Sequence, residues 1–319
     1  MKSCLSQIKV HSKPSCVIED YFRHLIFEHL KHYPLERLKE TQRILSDNTI
    51  DIQFLDRNDF VMQICPSSGI IMTSLTTLEI IHALAYAHFL IYDEINKRGI
   101  GGVNLDPEKD ENVRKAVMLV LWVKNFLESN SQIPPLDSLY QNADNLQFYF
   151  KNDKELKFAD DLWGLVVSGI IYHEIAHKIN NDIDEVQPEM QREREYKADK
   201  WMYDWIMNGI TFELNENQFL HRTIGITSSL GILAIFDVSN NPSGISTHPN
   251  VAERLLAFFN KYIPESDPEK AKEFAYVMAI AAIQTNFIFA KGKERLLKNS
   301  YANFREYLDN VSIILKENI

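Results

Sequence analysis

Along residues 17–32, VIEDYFRHLIFEHLKH, apolar side chains recur at three- and four-residue intervals, which predicts a helix. PLERLKETQRILSDN opens with Pro34 and ends in turn formers, so a second helix follows. The period then changes to two. TIDIQFLD alternates apolar and polar positions, and FVMQICPSSGIIMTS holds two short β-rich runs divided by a Pro-Ser-Ser-Gly turn, which together predict a small antiparallel sheet over 48–74. From Leu75 onward the helical period returns, with helices predicted over 76–97, 109–129, 156–180, 188–208, 216–237, 248–262 and 266–288 and one or two more before the end. Residues 131–150, SQIPPLDSLYQNADNLQFYF, follow neither period and read as a loop near a cleft.

No repeat, low-complexity tract or linker-like shift divides the 319 residues. The expected organisation is one domain over 1–319: N-terminal helices to 47, the sheet over 48–74, a core over 75–262, and C-terminal helices over 263–319. The fold class is mainly α with a small sheet (α+β). A formal net charge of −10 argues against a nucleic-acid binder built on a broad basic face. Cys4, Cys16 and Cys65 are odd in number and irregularly spaced, which fits a reducing cytosol better than a disulfide framework. MKSCLSQIKVHSK lacks the apolar core of a secretory signal. Three apolar stretches, 78–92, 224–236 and 274–290, are short or carry polar residues such as Glu79, His82, His88, Gln284, Thr285 and Asn286. A span needs about 20 apolar residues, so they are expected to be buried helices of a cytoplasmic protein with no membrane and no nucleic-acid partner.

Within the helix predicted over 156–180 lies GIIYHEIAHKIN, with His173, Glu174 and His177 in the order His-Glu-x-x-His. Residues four apart share a helical face, so His173 and His177 can aim two imidazoles at one ion while Glu174 stands beside it. The apolar lead-in LWGLVVSGIIY buries this helix, and buried ionisable groups need partners. A catalytic zinc takes three protein ligands and leaves one position for water, whose pKa falls to roughly 7; Glu174 is placed to take its proton. The expected cofactor is Zn2+, with manganese or iron as alternatives.

The third ligand is sought downstream. In QREREYKADKWMYDWI, Glu195 and Asp199 are four apart. Glu195 can reach the metal while Asp199 accepts a hydrogen bond from the far nitrogen of a ligand histidine, His173 being expected. The bland alternative is a solvated helix face. Asp182, Asp184, Glu185, Glu189 and Glu193 compete for the ligand role. Further on, STHPNVAERLLAF offers His248 or Arg254 as donor to a developing oxyanion, or Arg254 as a brace on a carboxylate. The alternative there is a Thr247 helix cap followed by an ordinary arginine.

YHEIAH, EYKAD and THPNVAER together resemble the motifs of gluzincin metallopeptidases of the HtpX and CAAX-prenyl-protease kind, and within that group most of all the Lit-type phage-exclusion peptidases. The resemblance covers roughly 70–260. It implies a zincin-like core with helical additions at both ends, His173, His177 and Glu195 as zinc ligands, Glu174 as catalytic base, Asp199 as the carboxylate behind a ligand, and His248 at the later His-Pro position. It also implies cleavage of elongation factor Tu during phage infection, triggered by a phage-derived peptide. A peptidase with a housekeeping target, or a non-catalytic helical interaction protein, are the rival expectations.

Other features are weaker. His24, His29 and His32 read as a solvated face, His82 and His88 as core or cleft histidines with ordinary hydrogen bonds, and Trp122, Trp163, Trp201 and Trp205 as packing residues. His221 offers nothing specific. An extended substrate would pair with a sheet edge, for which GIIMTS (69–74) is the expected strand. The charged tail KERLLKNSYANFREYLDNVSIILKENI is a candidate cover for the cleft.

Overall fold

The computed structural model describes residues 15–55, 60–98, 105–129, 153–182, 188–240, 249–263 and 269–291. Two helices open the chain, α1 (Ser15–His32) and α2 (Leu38–Asp47), joined through a single 3-10 turn at Leu35–Arg37. Three short strands follow: β1 (Asp51–Phe54), β2 (Met62–Ile64) and β3 (Ile70–Thr73). The remaining elements are helices: α3 (Leu75–Arg98), α4 (Glu111–Ser129), α5 (Asp153–Ile179), α6 (Pro188–Met207), α7 (Glu216–Asn240), α8 (Val251–Tyr262) and α9 (Glu269–Lys291). The fold is thus mainly α with one small sheet. The predicted tail helices, the 131–150 loop and the tail as a cleft cover lie outside the described residues.

The sheet differs from expectation in one respect. Its order is β1-β3-β2, with β1 parallel to β3 and β2 antiparallel to it. Hydrophobic alternation identifies strands but carries no direction, so it could not tell a meander from this mixed arrangement. The β2–β3 hairpin turns at Pro66–Gly69, where the Cys65 N–H donates to the Ile70 carbonyl at 2.8 Å. Gly69 has φ +80°, and a Cβ there would lie 2.4 Å from the Asn48 carbonyl oxygen, so only glycine fits. Since β3 is paired on both sides, GIIMTS cannot serve as a sheet edge; β1 and β2 are the edges, and β2 is the one that touches α5.

Three helical segments, Leu75–Arg98, Glu216–Asp237 and Lys270–Lys291, are long and apolar enough to cross a membrane, longer than the stretches read from sequence. In the fold α3, α7 and α9 pack on one another, and 78 to 83% of their most apolar windows is buried. Their polar interruptions are accommodated locally. Thr285 donates to the Ala281 carbonyl at 2.9 Å, and Asn286 reaches the Ala282 and Gly231 carbonyls. Helix α5 packs between this bundle and α6, and also touches β2. Gly169 brings α5 and α7 together, since a Cβ there would lie 2.2 Å from the Ser229 hydroxyl. That close approach sets the height of the next turn of α5, where the ionisable residues begin.

Candidate metal centre

Helix α5 carries His173 and His177 on the side facing α6, which returns Glu195 to meet them, while Glu174 turns to β2. His173 Nε2 lies 3.1 Å from His177 Nε2 and 3.2 Å from Glu195 Oε2; His177 Nε2 lies 3.6 Å from Glu195 Oε1. One ligand atom from each of the three residues falls within 4.8 Å of the other two, and no other group of this kind is found among the described residues.

The chemistry of this donor set fits a divalent cation. His173 Nδ1 lies 2.9 Å from Asp199 Oδ1, close though bent from a straight hydrogen bond. His177 Nδ1 is hydrogen-bonded to Asp182 Oδ2 at 2.8 Å. A carboxylate beside each Nδ1 favours the tautomer with the ring proton there, in which both Nε2 lone pairs face one another and the Glu195 carboxylate. Lone pairs and an anion crowd together in this way only where a positive charge compensates them. Two imidazoles and a carboxylate are the donor set of a catalytic zinc site. Burial works against charging His173, but hydrogen bonding and charge from Asp199 and Glu195 outweigh it and push the ring up to about 10.

Behind the ligands sits Arg254, fully buried on α8. Its Nη1 donates to Asp199 Oδ1 at 2.6 Å, and its Nη2 to Asp237 Oδ2 at 2.6 Å and Glu195 Oε2 at 3.5 Å; Nε donates to the Pro249 carbonyl at 3.2 Å. Burial opposes its charge, and the three carboxylates more than offset that. Of the two roles open in the sequence, the geometry supports the brace. Its donors go to three carboxylates and the Pro249 carbonyl, and it is not among the residues that line the pocket described below. The N-cap of α8 is Asn250, in a capping box with Glu253, rather than Thr247. His248 lies outside the described residues.

Glu174 Oε2 accepts the backbone N–H of Ile64 at 2.9 Å. Burial raises its carboxyl above the ordinary range, with the neighbouring imidazoles and the Ile64 N–H pulling the other way. One turn on, Lys178 donates to the carbonyls of Pro66 (2.5 Å) and Ser67 (3.1 Å). Glu174 opens onto a pocket of about 450 Å³ whose walls include Phe60, Met62, Arg194, Leu233 and Phe236. Phe60 and Phe236 meet edge to face at 4.7 Å and form its apolar end.

Most sequence-predicted site residues therefore converge: His173, Glu174, His177, Glu195, Asp199 and, against the carboxylates, Arg254. Among the rival ligands, Glu193 is exposed and paired with Lys197 at 2.8 Å. Asp184, Glu185 and the Glu189 side chain lie outside the described residues. Asp182, weighed in the sequence as a rival ligand, instead bonds the far nitrogen of His177, and Arg194 and Asp237 were missed as site residues. Asp237 lies in the last turn of a long apolar helix, where no local pattern marks it. Asp182 had a signal in the Asn180-Asn181 pair, which ends α5 and turns the chain back.

Elsewhere, His82 lies 3.4 Å from Asp160. His88 departs from expectation, for neither ring nitrogen has a hydrogen-bond partner, and burial drives its pKa down to about 3. The cause is its setting between small residues of α7 and α9, Gly231 and Ala282, which offer it no side-chain acceptor. Trp201 and Trp205 stack at 5.2 Å with the Arg37 guanidinium 3.5 Å over the second ring, and Trp163 donates to the Leu78 carbonyl.

Comparison with curated proteins and with solved structures finds no match. A family model does match, over residues 71–277, which takes in β3, both metal-site helices and Arg254. That span exceeds half of the chain, and the protein belongs to the Peptidase U49 family.

Proposed function

We propose that this peptidase is a zinc-dependent endopeptidase of the gluzincin type, with His173, His177 and Glu195 as ligands. The observation that carries the reading is the convergence of three ligand atoms within 4.8 Å beside a buried carboxylate that opens onto a pocket. A zinc ion held there would lower the pKa of a water and polarise the scissile carbonyl. Glu174 takes a proton from the attacking water as its oxygen bonds to the carbonyl carbon. It then delivers that proton to the nitrogen as the C–N bond breaks, leaving a carboxylate and an amine. Its raised carboxyl pKa suits both transfers. The oxyanion donor falls to His248, since Arg254 is committed elsewhere. The substrate lies extended along the outer edge of β2, whose Ile64 N–H already faces Glu174.

The resemblance to Lit-type peptidases extends the proposal to phage defence in the cytoplasm: cleavage of elongation factor Tu after a phage-derived peptide is sensed. The test has two stages. One zinc per chain should be present in the wild type and in Glu174→Gln and absent in His173→Ala, while Glu174→Gln lowers turnover by about 10²–10⁴. Infected cells expressing wild type and Glu174→Gln are then compared for a single differential cleavage product. Cut elongation factor Tu supports the target, and another product removes the target but keeps the peptidase. Equal metal in His173→Ala and wild type removes the zinc centre.

A further inference from the structure

The end of helix α5 and the second ligand histidine are built as one unit. Asn181 has φ +54°, in the left-handed region. Its N–H donates to the Lys178 carbonyl at 3.1 Å, and the N–H of Asp182 donates to the His177 carbonyl at 3.0 Å. These nested bonds form a Schellman cap, which satisfies the last carbonyls of a helix by reversing the chain through one left-handed residue. Asparagine is among the few non-glycine residues that take this conformation readily. Here the reversal has a second effect. The residue that donates its N–H to the His177 backbone also places its side chain under the His177 ring, with Oδ2 2.8 Å from Nδ1. Asp182 is therefore tied to His177 at two points. Its other oxygen, Oδ1, lies 3.6 Å from Arg194 Nε on α6, beside the ligand Glu195.

Resting on the metal-centre reading above, we propose that Asp182 is a positioning residue for metal binding and that the helix cap at Asn181 delivers it. The cap fixes where the carboxylate lies, the carboxylate fixes the tautomer and plane of His177, and that orientation sets how well Nε2 meets a cation. The carboxylate of Asp199 does the same for His173 from α6. Asp182 does it from the cap that ends the ligand helix, at a sequence distance of five residues, so ligand geometry and helix termination are coupled. Removing such an outer carboxylate weakens metal affinity about 10–100-fold in comparable sites.

The experiment is zinc titration against a chromophoric chelator, with no activity readout. It is run on full-length wild type, Asp182→Asn, Asn181→Gly, Asn181→Val, Asp199→Asn and His177→Ala. Asp182→Asn keeps the shape and loses the charge, and should weaken the dissociation constant about 10–100-fold while keeping one site. Asn181→Gly retains the left-handed backbone and should bind within a few fold of wild type. Asn181→Val strains that backbone, displaces Asp182 without altering it, and should weaken binding in the same direction as Asp182→Asn. Circular dichroism confirms that each chain is folded, and the Asn181 pair carries the test if Asp182→Asn is not. Wild-type affinity in Asp182→Asn, or equal affinity in Asn181→Val and Asn181→Gly, overturns the proposal while Asp199→Asn still binds weakly. Wild-type affinity in His177→Ala instead removes the metal centre on which the proposal rests.

Discussion

Two arms hold the two histidines, and they are built alike but set in different surroundings. The inner arm runs Arg254–Asp199–His173, with side chains 0, 2 and 3% exposed. The outer arm runs Arg194–Asp182–His177, with side chains 20, 15 and 14% exposed. In the inner arm the guanidinium bonds at 2.6 Å to Asp199 and also neutralises Asp237. In the outer arm the Arg194 contact is 3.6 Å, while the carboxylate–histidine bond is the straighter of the two. The difference separates two tasks that one list of ligands would merge. Deep in the protein, an ion network must balance its own charge before it can orient anything. Near the pocket, water does the balancing and the carboxylate need only orient the ring.

The largest expected effect follows from that contrast. Arg254→Met leaves Asp199, Asp237 and Glu195 without their buried cation, and should cost about 3–5 kcal/mol of folding free energy in urea denaturation. A loss under about 1 kcal/mol would mean that the inner arm is balanced in some other way. His88 sharpens the contrast as a buried histidine with no arm at all. Its folded-state pKa, about 3, lies below the ordinary value near 6.5, so the unfolded chain binds the extra proton. The stability it contributes is present above pH 6.5 and is lost as pH falls toward 3. In urea titrations across that window, His88→Met should show a flatter acid limb than wild type, and an unchanged limb would assign the loss to other groups. The smallest effect belongs to Arg194→Met. Breaking a partly exposed 3.6 Å pair should change folding stability by about 1 kcal/mol or less. Equal losses for Arg254→Met and Arg194→Met would abolish the distinction between the arms.

What the sequence revealed of this site follows the range of the interactions. His173, Glu174 and His177 lie within one helical turn or so, and Glu195 and Asp199 within another, so a fixed 3.6-residue period was enough to group each set. The helices α3 to α9 were legible for the same reason, to within a few residues at their ends. Asp182 was half legible: a helix terminator at Asn180-Asn181 announces a reversal, but only coordinates show which ring the next side chain meets. Asp237 and the direction of β1 were not legible, because each is set by packing against elements far away in the chain. His88 was misread since its lack of partners depends on Gly231 and Ala282, which come from two other helices.

The two anchor points between α5 and the β2–β3 hairpin have a consequence for alignment. Glu174 grips the strand at Ile64, and Lys178, one turn later, grips the turn at Pro66 and Ser67. Strand and helix are thereby locked in register, like a ruler fastened to its zero mark. On the proposed binding of an extended polypeptide along β2, its residues would be counted off from the carboxylate itself, and the bond that comes to rest there would be set by a fixed step of backbone pairing and not by the freedom of a loop.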